Sequence, residues 1–284
     1  MSMRFKKEFK KTNGRYFRMN IEAYNSATEC VFDMKRRELK KSDGFNEIHP
    51  SEYFEGVNSY SEALNLLNNG YAPVIDEITK DIKFNKKGES KRISFENSVS
   101  GFAPIVPLAM MGVPNNMINM TMKPIKAKVI DVYYNISFSA YVTPDEIKNT
   151  GKNLLVSIMD LEKQGYKFNL YAMSTFASEK DADILVIKIK SSNTPIDLKR
   201  MSFPLTHPAF FRCIAFDWYG RNPDSKYRTG YGRPIATSLG GNKLDMKSLE
   251  KSFGDNAVLI HGSKILNIGN EHIKEVLVND KNED

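Results

Sequence analysis

The sequence lacks most of the short motifs by which enzymes and metalloproteins are recognised. Two of its 284 residues are cysteine, and neither Cys30 nor Cys213 stands in a CxxC or Cys/His spacing, so a zinc centre or redox chemistry is not indicated. A G-x-x-x-x-G-K-S/T phosphate loop and a G-x-S-x-G nucleophile turn are absent. "GYGRP" at 230–234 is not a dinucleotide fingerprint, because Ile235 occupies the place of the third glycine. We therefore predict a protein that is not an enzyme and carries no cofactor.

Long apolar runs are also absent. No uninterrupted stretch approaches the roughly 20 residues that cross a bilayer, and the charged segment "MSMRFKKEFKKTNGRYF" is not followed by the apolar region of a signal peptide. We therefore expect a cytoplasmic protein that makes no membrane contact. Hydrophobic residues make up 41% of the chain, which is enough to bury one large core or two modest ones.

Positive charge is concentrated in residues 1–41. This segment holds twelve Lys or Arg and five Asp or Glu, and the resulting net charge of +7 equals that of the whole chain. Aromatic residues alternate here with six cations: Lys6, Lys7, Lys10, Lys11, Arg15 and Arg18. This composition is typical of nucleic-acid binding, in which cations contact phosphates and rings stack on bases. Two other interpretations stay open: a solvated terminus whose rings pack on the domain, and a surface for an acidic protein.

A second basic group lies in "GRNPDSKYRTGYGRP", residues 220–234. Its four cations are Arg221, Lys226, Arg228 and Arg233. The length of this segment is typical of a binding loop. A role in phosphate contact and a flexible solvated loop are both compatible with the pattern.

Residues 42–125 are predicted to form a helical and irregular region between the basic segment 1–41 and a domain at 126–284. A short helix is expected from Ser59 to Asn68, because Ser59 and Glu62 have capping-box spacing and Gly70 is a typical stop. Upstream, residues 15–40 have a loose helical pattern. Downstream, residues 74–96 are predicted to be a hairpin or a linker of mixed charge.

The segment 101–124 is rich in proline and methionine. Four prolines forbid a continuous helix, so we expect an extended or looped conformation. Five of the chain's thirteen methionines lie here in an apolar background. The segment is therefore either an adaptable surface for a partner or an apolar loop that packs over the core.

Residues 126–284 have an alternating α/β pattern. "AKVIDVYYNISFSA" is typical of a buried strand, and Thr143–Glu146 begins a capped helix with proline at its first position. Two further strands, "YKFNLYAMSTF" and "DADILVIKIKSS", are separated by a turn too short for a parallel crossover, so they should be antiparallel. A helix in "HPAFFRCIAFDWYG", a strand in "NAVLIHGSKI" and a helix near Asn270 are expected to follow. The pattern predicts a mainly parallel sheet with an antiparallel edge hairpin and flanking helices.

This order resembles the von Willebrand factor A fold, whose first strand ends in a D-x-S-x-S motif and whose next two strands form such a hairpin. The corresponding residues are "NISFS" at 135–139, within a region of about 128–278. The chain is also similar to a family of phage and plasmid proteins in "SYSEALNLLNNGY", in the Pro/Met segment and in "HPAFFR" at 207–212.

The resemblance implies a divalent metal site that this sequence has degraded. The implied ligand positions are Asn135, Ser137, Ser139 and His261, of which Asn135 replaces the leading aspartate and His261 stands where an aspartate-glycine turn might fall. Mg²⁺ is usually held through at least one carboxylate, so we expect the site to be empty. An alternative explanation of Ser137 and Ser139 is that their hydroxyls cap the turn and the following helix.

Two functions follow from these observations. The first is a non-catalytic interaction protein of a phage or mobile element, which binds a protein partner through the loops at the carboxyl ends of its strands. The second is a nucleic-acid-binding accessory protein that uses the basic segment 1–41 and the 220–233 loop.

Overall fold

The protein is described by a computed structural model over residues 2–10, 16–38, 56–82, 92–123, 128–177, 181–222, 250 and 253–279. The described strands are β1 (Met3–Lys10), β2 (Tyr16–Tyr24), β3 (Arg92–Ser98), β4 (Ala103–Pro104), β5 (Met117–Lys123), β6 (Val129–Asn135), β7 (Lys167–Ala177), β8 (Asp181–Lys190) and β9 (Ala257–His261). They form a six-stranded sheet in the order β1-β2-β8-β7-β6-β9 and a three-stranded sheet in the order β3-β5-β4.

The large sheet is mainly parallel, as predicted. Its parallel pairs are β2–β8, β7–β6 and β6–β9, and its antiparallel pairs are β1–β2 and β7–β8. The predicted β7–β8 hairpin is confirmed, as is the interior position of β6. The hairpin does not lie at the sheet edge, however, because β2 pairs with β8 and β1 continues the sheet beyond it.

Helices flank the sheet. The described α-helices are α1 (Ala27–Met34), α2 (Tyr60–Asn69), α3 (Ala72–Ile82), α4 (Val106–Met110), α5 (Pro144–Lys163), α6 (Leu198–Thr206), α7 (Phe216–Arg221) and α8 (Asn270–Asn279). A π-helical turn at Phe210–Ala215 leads into α7, and a 3-10 turn at Gly262–Lys264 follows β9. None of the described helices is both long and apolar enough to cross a lipid bilayer.

One face of the large sheet packs on α5, α6 and α1 and holds most of the core. Ile130, Val132 and Tyr134 alternate along β6 toward this face and pack in the same cluster as Leu154 and Ile158 of α5. The opposite face carries a smaller apolar cluster that includes Met19, Met173, Ile184 and Leu259. Residues of β6 therefore alternate between a fully buried face and a face on which Asp131 and Tyr133 are half-buried.

The helix α5 begins where the sequence predicts. Thr143 accepts a hydrogen bond from the Glu146 backbone N–H, and the Glu146 carboxylate accepts one from the Thr143 N–H, so the capping box is complete. Pro144 fits the first helical position because no intrahelical partner is needed there. The helices at 60–69 and 270–279 and the strand at 257–261 are also confirmed.

The N-terminal segment differs from its prediction. Residues 16–24 form β2 rather than a helix. Within the range 15–40, a helix is present at α1. The hairpin β1–β2 pairs through β2 with β8, so part of segment 1–41 extends the sheet of the 126–284 region instead of covering it. The prediction of a helix was wrong for this part, because Met19, Ile21 and Ala23 pack on one side of the sheet with the period of two that is typical of a strand.

The 42–125 region also contains more regular structure than expected. Residues 72–82 form α3, which packs against α5 and α6, so the prediction of a hairpin or linker at 74–96 is wrong for its first half. The 92–123 segment forms the small sheet, with the five-residue helix α4 between β4 and β5. Pro107 lies in the first turn of α4, where proline is tolerated, so only a continuous helix is excluded, as predicted.

Candidate functional site

A cluster of neutral polar side chains lies at the carboxyl ends of β6, β7 and β9. Asn135 and His261 are directly opposite each other in the parallel β6–β9 pair. The Asn135 side-chain amide donates toward Thr175 Oγ1 at 3.4 Å and lies 3.3 Å from His261 Nδ1. Ser137 Oγ accepts from the Thr175 backbone N–H at 2.9 Å. The sheet register thus assembles three of the four predicted metal-site residues, together with a threonine from the next strand.

Ser139 is separated from the other three by its exposure. Asn135, Ser137, Thr175 and His261 are all at most 3% exposed, whereas Ser139 lies in an exposed turn and accepts from the Tyr141 N–H at 3.5 Å. Buried Arg212 fixes this turn by donating to the carbonyl groups of Ser139 and Val142. The two serines of the motif therefore have different environments.

The donor set does not fit a divalent metal. Asn135 Oδ1, its best oxygen ligand, already accepts a hydrogen bond from the Ser137 N–H at 2.9 Å. No carboxylate belongs to the cluster, and the part of the chain that the structure describes contains no group of three His, Cys, Asp or Glu able to hold a metal ion. Access is also restricted, because the four side chains of the cluster are at most 3% exposed. The expectation that the protein has no cofactor stays a prediction.

Burial holds His261 neutral. Removal of the ring from water, reinforced by Lys264, lowers the pKa of His261 to about 4. Its Nδ1 faces an amide donor, which assigns the proton to Nε2. Nε2 is buried and has no hydrogen-bond partner within the described residues. The cluster joins three strand ends by hydrogen bonds and contains no activated nucleophile, so its geometry supports a structural role.

The predicted basic residues fall partly outside the described residues. These are Lys11, Arg15, Lys226, Arg228, Arg233 and the side chain of Lys10. Of the others, Lys6 is exposed on the edge strand β1, and the Lys7 ammonium lies 5.7 Å from the Phe5 ring and 5.9 Å from the Phe253 ring. Arg18 pairs with Glu8, and Arg221 pairs with Asp217 and donates to the Arg37 carbonyl.

The small sheet has two chemically different faces. Phe95 lies opposite Met120, and Asn97 lies opposite Ile118, so these positions share one face because residues two apart in a strand point the same way. Glu96 lies opposite Asn119 on the other face. Phe102 extends the first face, since its ring lies 6.2 Å from that of Phe95. The sheet is therefore amphipathic.

Many large apolar side chains between residues 95 and 120 are exposed. Seven large ones are exposed by 52–84%, and we call them the Met/Phe surface: Phe95, Val99, Phe102, Val106, Met110, Met111 and Met120. Among the described helices and strands, β3, β4 and β5 make their extensive contacts only with one another. The interpretation of 101–124 as an apolar loop that packs over the core is therefore wrong for the five exposed residues of that segment: Phe102, Val106, Met110, Met111 and Met120.

Sequence reasoning placed this surface only in outline. The Pro/Met composition of 101–124 indicates part of it. Phe95 lies in the stretch 74–96 that is predicted to be a hairpin or linker, and Val99 lies outside both predicted segments. The signal that identifies them is the near-absence of charge, since Glu96 is the only charged residue between 95 and 122. Composition cannot distinguish such an uncharged segment inside a core from one at the surface.

A family model described as "Domain of unknown function (DUF7192)" matches residues 9–276. Searches of curated proteins and of solved structures gave no significant match. The matched range includes the small sheet, the strand ends of the polar cluster and all of β2, and it begins near the end of β1.

Proposed function

Since the chain belongs to the DUF7192 family, whose description gives no activity, we propose a function from the geometry: a non-catalytic interaction protein that binds a protein partner through the Met/Phe surface. Its setting in the cytoplasm and in a phage or mobile element is part of the same proposal. That setting rests on the resemblance of residues 59–71 and 207–212 to phage and plasmid proteins.

The observation that carries the proposal is the exposure of seven large apolar side chains within one segment of the chain, residues 95–120. Aromatic side chains bury roughly 150–250 Å² each. If the lower value is taken for all seven residues and multiplied by the exposed fraction of each, the Met/Phe surface presents on the order of 700 Å² of apolar area. The largest apolar patch on a typical monomer is roughly 300–600 Å², and larger patches usually mark binding sites. Methionine side chains also adapt to the shape of a partner at such surfaces.

The Met/Phe surface replaces the loops at the carboxyl ends of the strands as the proposed contact site. The turn after β6 exposes one aromatic side chain, Tyr141, while the polar cluster below it is buried. Without a fitting metal ligand set, that turn offers little binding energy. We therefore assign it a secondary role at most and include it in the test.

Adjacent residues on opposite faces of β5 provide the test. Met120→Lys places a charge on the apolar face, whereas Asn119→Lys places the same charge on the polar face beside Glu96. Tagged full-length wild type, both variants and Tyr141→Lys are expressed in the natural host cells, and co-purified proteins are quantified after nuclease treatment. We expect Met120→Lys to lose a partner that wild type, Asn119→Lys and Tyr141→Lys retain.

The proposal fails if Met120→Lys, folded by circular dichroism, retains every protein that wild type binds. Loss of the partner in Tyr141→Lys alone would return the contact to the strand-end loops. Equal losses in Met120→Lys and Asn119→Lys would show that the effect comes from added charge and not from the apolar face.

Nucleic-acid binding is the second candidate, and the position of β1 favours it. Lys6 and Arg18 are exposed on the edge hairpin, and the exposed Arg18–Glu8 pair contributes only about 0–1 kcal/mol, so it competes weakly with a phosphate. Binding of a fluorescent single strand should then fall steeply with salt, and Lys6→Ala should lower the salt slope by roughly 1. Absence of binding at about 50 mM salt would exclude this function.

A further inference from the structure

We propose that the partner of the Met/Phe surface is a second copy of this chain, and that the two small sheets pack face to face about a two-fold axis near Met120. This inference rests on the proposed function of the surface. It adds the identity of the partner and the geometry of the contact.

The absence of charge favours a self-complementary contact. Glu96 is the only charged residue between 95 and 122, and it lies on the face opposite to Phe95 and Met120. A surface without charge has no electrostatic feature by which to select a different protein. In a two-fold contact the same patch of both copies meets, so a charge near the axis would face an identical charge and repel it. A patch without charge avoids this repulsion.

The size of the surface suits a stable dimer. Its area, on the order of 700 Å², is close to the roughly 800 Å² that each partner buries in a standard protein interface. A surface of this size on a second copy would bury most of its apolar area in one contact. Shorter peptide ligands would leave part of it in water.

The architecture of the small sheet also requires a cover. A few strands are stable in water only when one apolar face packs on another layer. Here the described helices and strands leave that face uncovered, while β5 lies in the middle of the sheet with Met120 as a central apolar residue. Two such sheets packed about 10 Å apart form a sandwich, the usual arrangement of two amphipathic sheets.

Sedimentation velocity of the purified full-length protein between about 1 and 100 µM tests the inference. We expect wild type and Asn119→Lys to pass from monomer to dimer in this range, and Met120→Lys to need at least about tenfold higher concentration. Because both copies carry net charge +7, dimerisation should not weaken as salt is raised, unlike binding to nucleic acid.

A mixing experiment separates loss of the contact from loss of folding. Met120→Lys and Met120→Glu should each be monomeric alone, because like charges meet across the axis. An equimolar mixture of the two should dimerise again, since opposite charges then face each other. A mixture that stays monomeric, with both variants folded by circular dichroism, would contradict an axis near Met120.

The outcomes distinguish this inference from the proposed function. Wild type that stays monomeric at about 100 µM, while Met120→Lys still loses a co-purified protein, overturns the second copy and leaves the proposed function intact. Binding of monomeric wild type to phosphatidylcholine vesicles, lost in Met120→Lys, would identify a lipid surface as the occupant and overturn both. Dimers of equal affinity in wild type and Met120→Lys would place self-association elsewhere on the chain.

Discussion

At the scale of single residues, the polar cluster is a hydrogen-bonded group that joins the ends of neighbouring strands. Each of Asn135, Ser137 and Thr175 takes part in at least two hydrogen bonds within the group. Their positions at the ends of β6 and β7 are those at which open α/β sheets usually hold ligands. Here burial and mutual hydrogen bonding use the donor and acceptor capacity that a ligand would need.

One buried and one half-buried histidine, His261 and His207, predict a loss of stability on mild acidification. Burial lowers the pKa of both His207 and His261 to about 4, below the usual 6.5, so the unfolded chain binds more protons and stability falls from pH 6.5 toward pH 4. Each should cost about 2 kcal/mol between pH 7 and pH 5. Urea unfolding of His261→Gln should therefore show a smaller difference between these pH values, and the exposed His272→Gln should behave as wild type.

A carboxylate introduced at position 135 should not create a metal site. Asn135→Asp places a charge at a position that is 1% exposed and next to a neutral histidine, so we expect a loss of roughly 2–4 kcal/mol. Millimolar Mg²⁺ should leave the melting temperature of wild type and variant unchanged, since a ligand stabilises only a state that it binds. A saturable rise in the melting temperature of Asn135→Asp would contradict this description of the cluster.

At the scale of elements, the basic hairpin is fastened to the domain through one acidic residue. Glu22 of β2 accepts hydrogen bonds from Arg4, Arg37 and Trp218, which connects β1, β2, α7 and the segment after α1. Burial alone would raise the pKa of Glu22, but these donors outweigh it and lower the pKa to about 2. The segment is therefore built into the sheet, in contrast to a frayed arm.

Substitution of Glu22 should destabilise the whole domain. Glu22→Gln removes the buried negative charge beside the Arg37 guanidinium, which keeps its pair with the partly exposed Asp33. We expect a loss of roughly 3–5 kcal/mol in the free energy of unfolding at pH 7. Because the folded pKa is depressed, wild type should lose this contribution between pH 4.5 and pH 2. Glu8→Gln, which breaks an exposed pair in the same hairpin, should change stability by less than about 1 kcal/mol. Equal effects of the two variants would contradict the anchoring role.

The contact between α5 and α6 depends on a glycine in the middle of a helix. A Cβ at Gly151 would lie 2.0 Å from the backbone carbonyl oxygen of Leu205. Gly151→Ala should therefore destabilise by roughly 1–3 kcal/mol or more, although alanine favours a helix by about 1 kcal/mol. Asn149→Ala, at an exposed position of the same helix, should be neutral or slightly stabilising. Thermal unfolding of both variants measures the difference.

At the scale of the whole molecule, the sequence predicted the elements with local signals. Capping residues predicted the starts of α2 and α5, and the three residues between β7 and β8, too few for a parallel crossover, predicted their antiparallel pairing. The α/β class followed from their order. Such signals act within a few residues, so they are readable without knowledge of the rest of the fold.

Long-range features were missed for a physical reason. The pairing of β2 with β8 joins residues about 160 positions apart, and no local pattern specifies it. The exposure of Phe95 and Met120 depends on what packs against the small sheet, which composition does not record. The polar cluster was predicted in part. The sequence indicated Asn135, Ser137 and His261 as site residues, but their burial follows from the register of β6, β7 and β9.

Oxidation of the methionines of the folded protein by dilute hydrogen peroxide, measured residue by residue with mass spectrometry, tests the central claim most directly. Met110, Met111 and Met120 are 84%, 75% and 52% exposed, while Met19, Met34 and Met173 are fully buried. At low protein concentration the first three should oxidise much faster than the buried three. At high concentration they should become protected, while Met3, which is 68% exposed on the edge strand β1, stays reactive. Oxidation of Met110, Met111 and Met120 as slow as that of Met19, or as fast as that of Met3 at every concentration, would contradict a Met/Phe surface that binds a second copy.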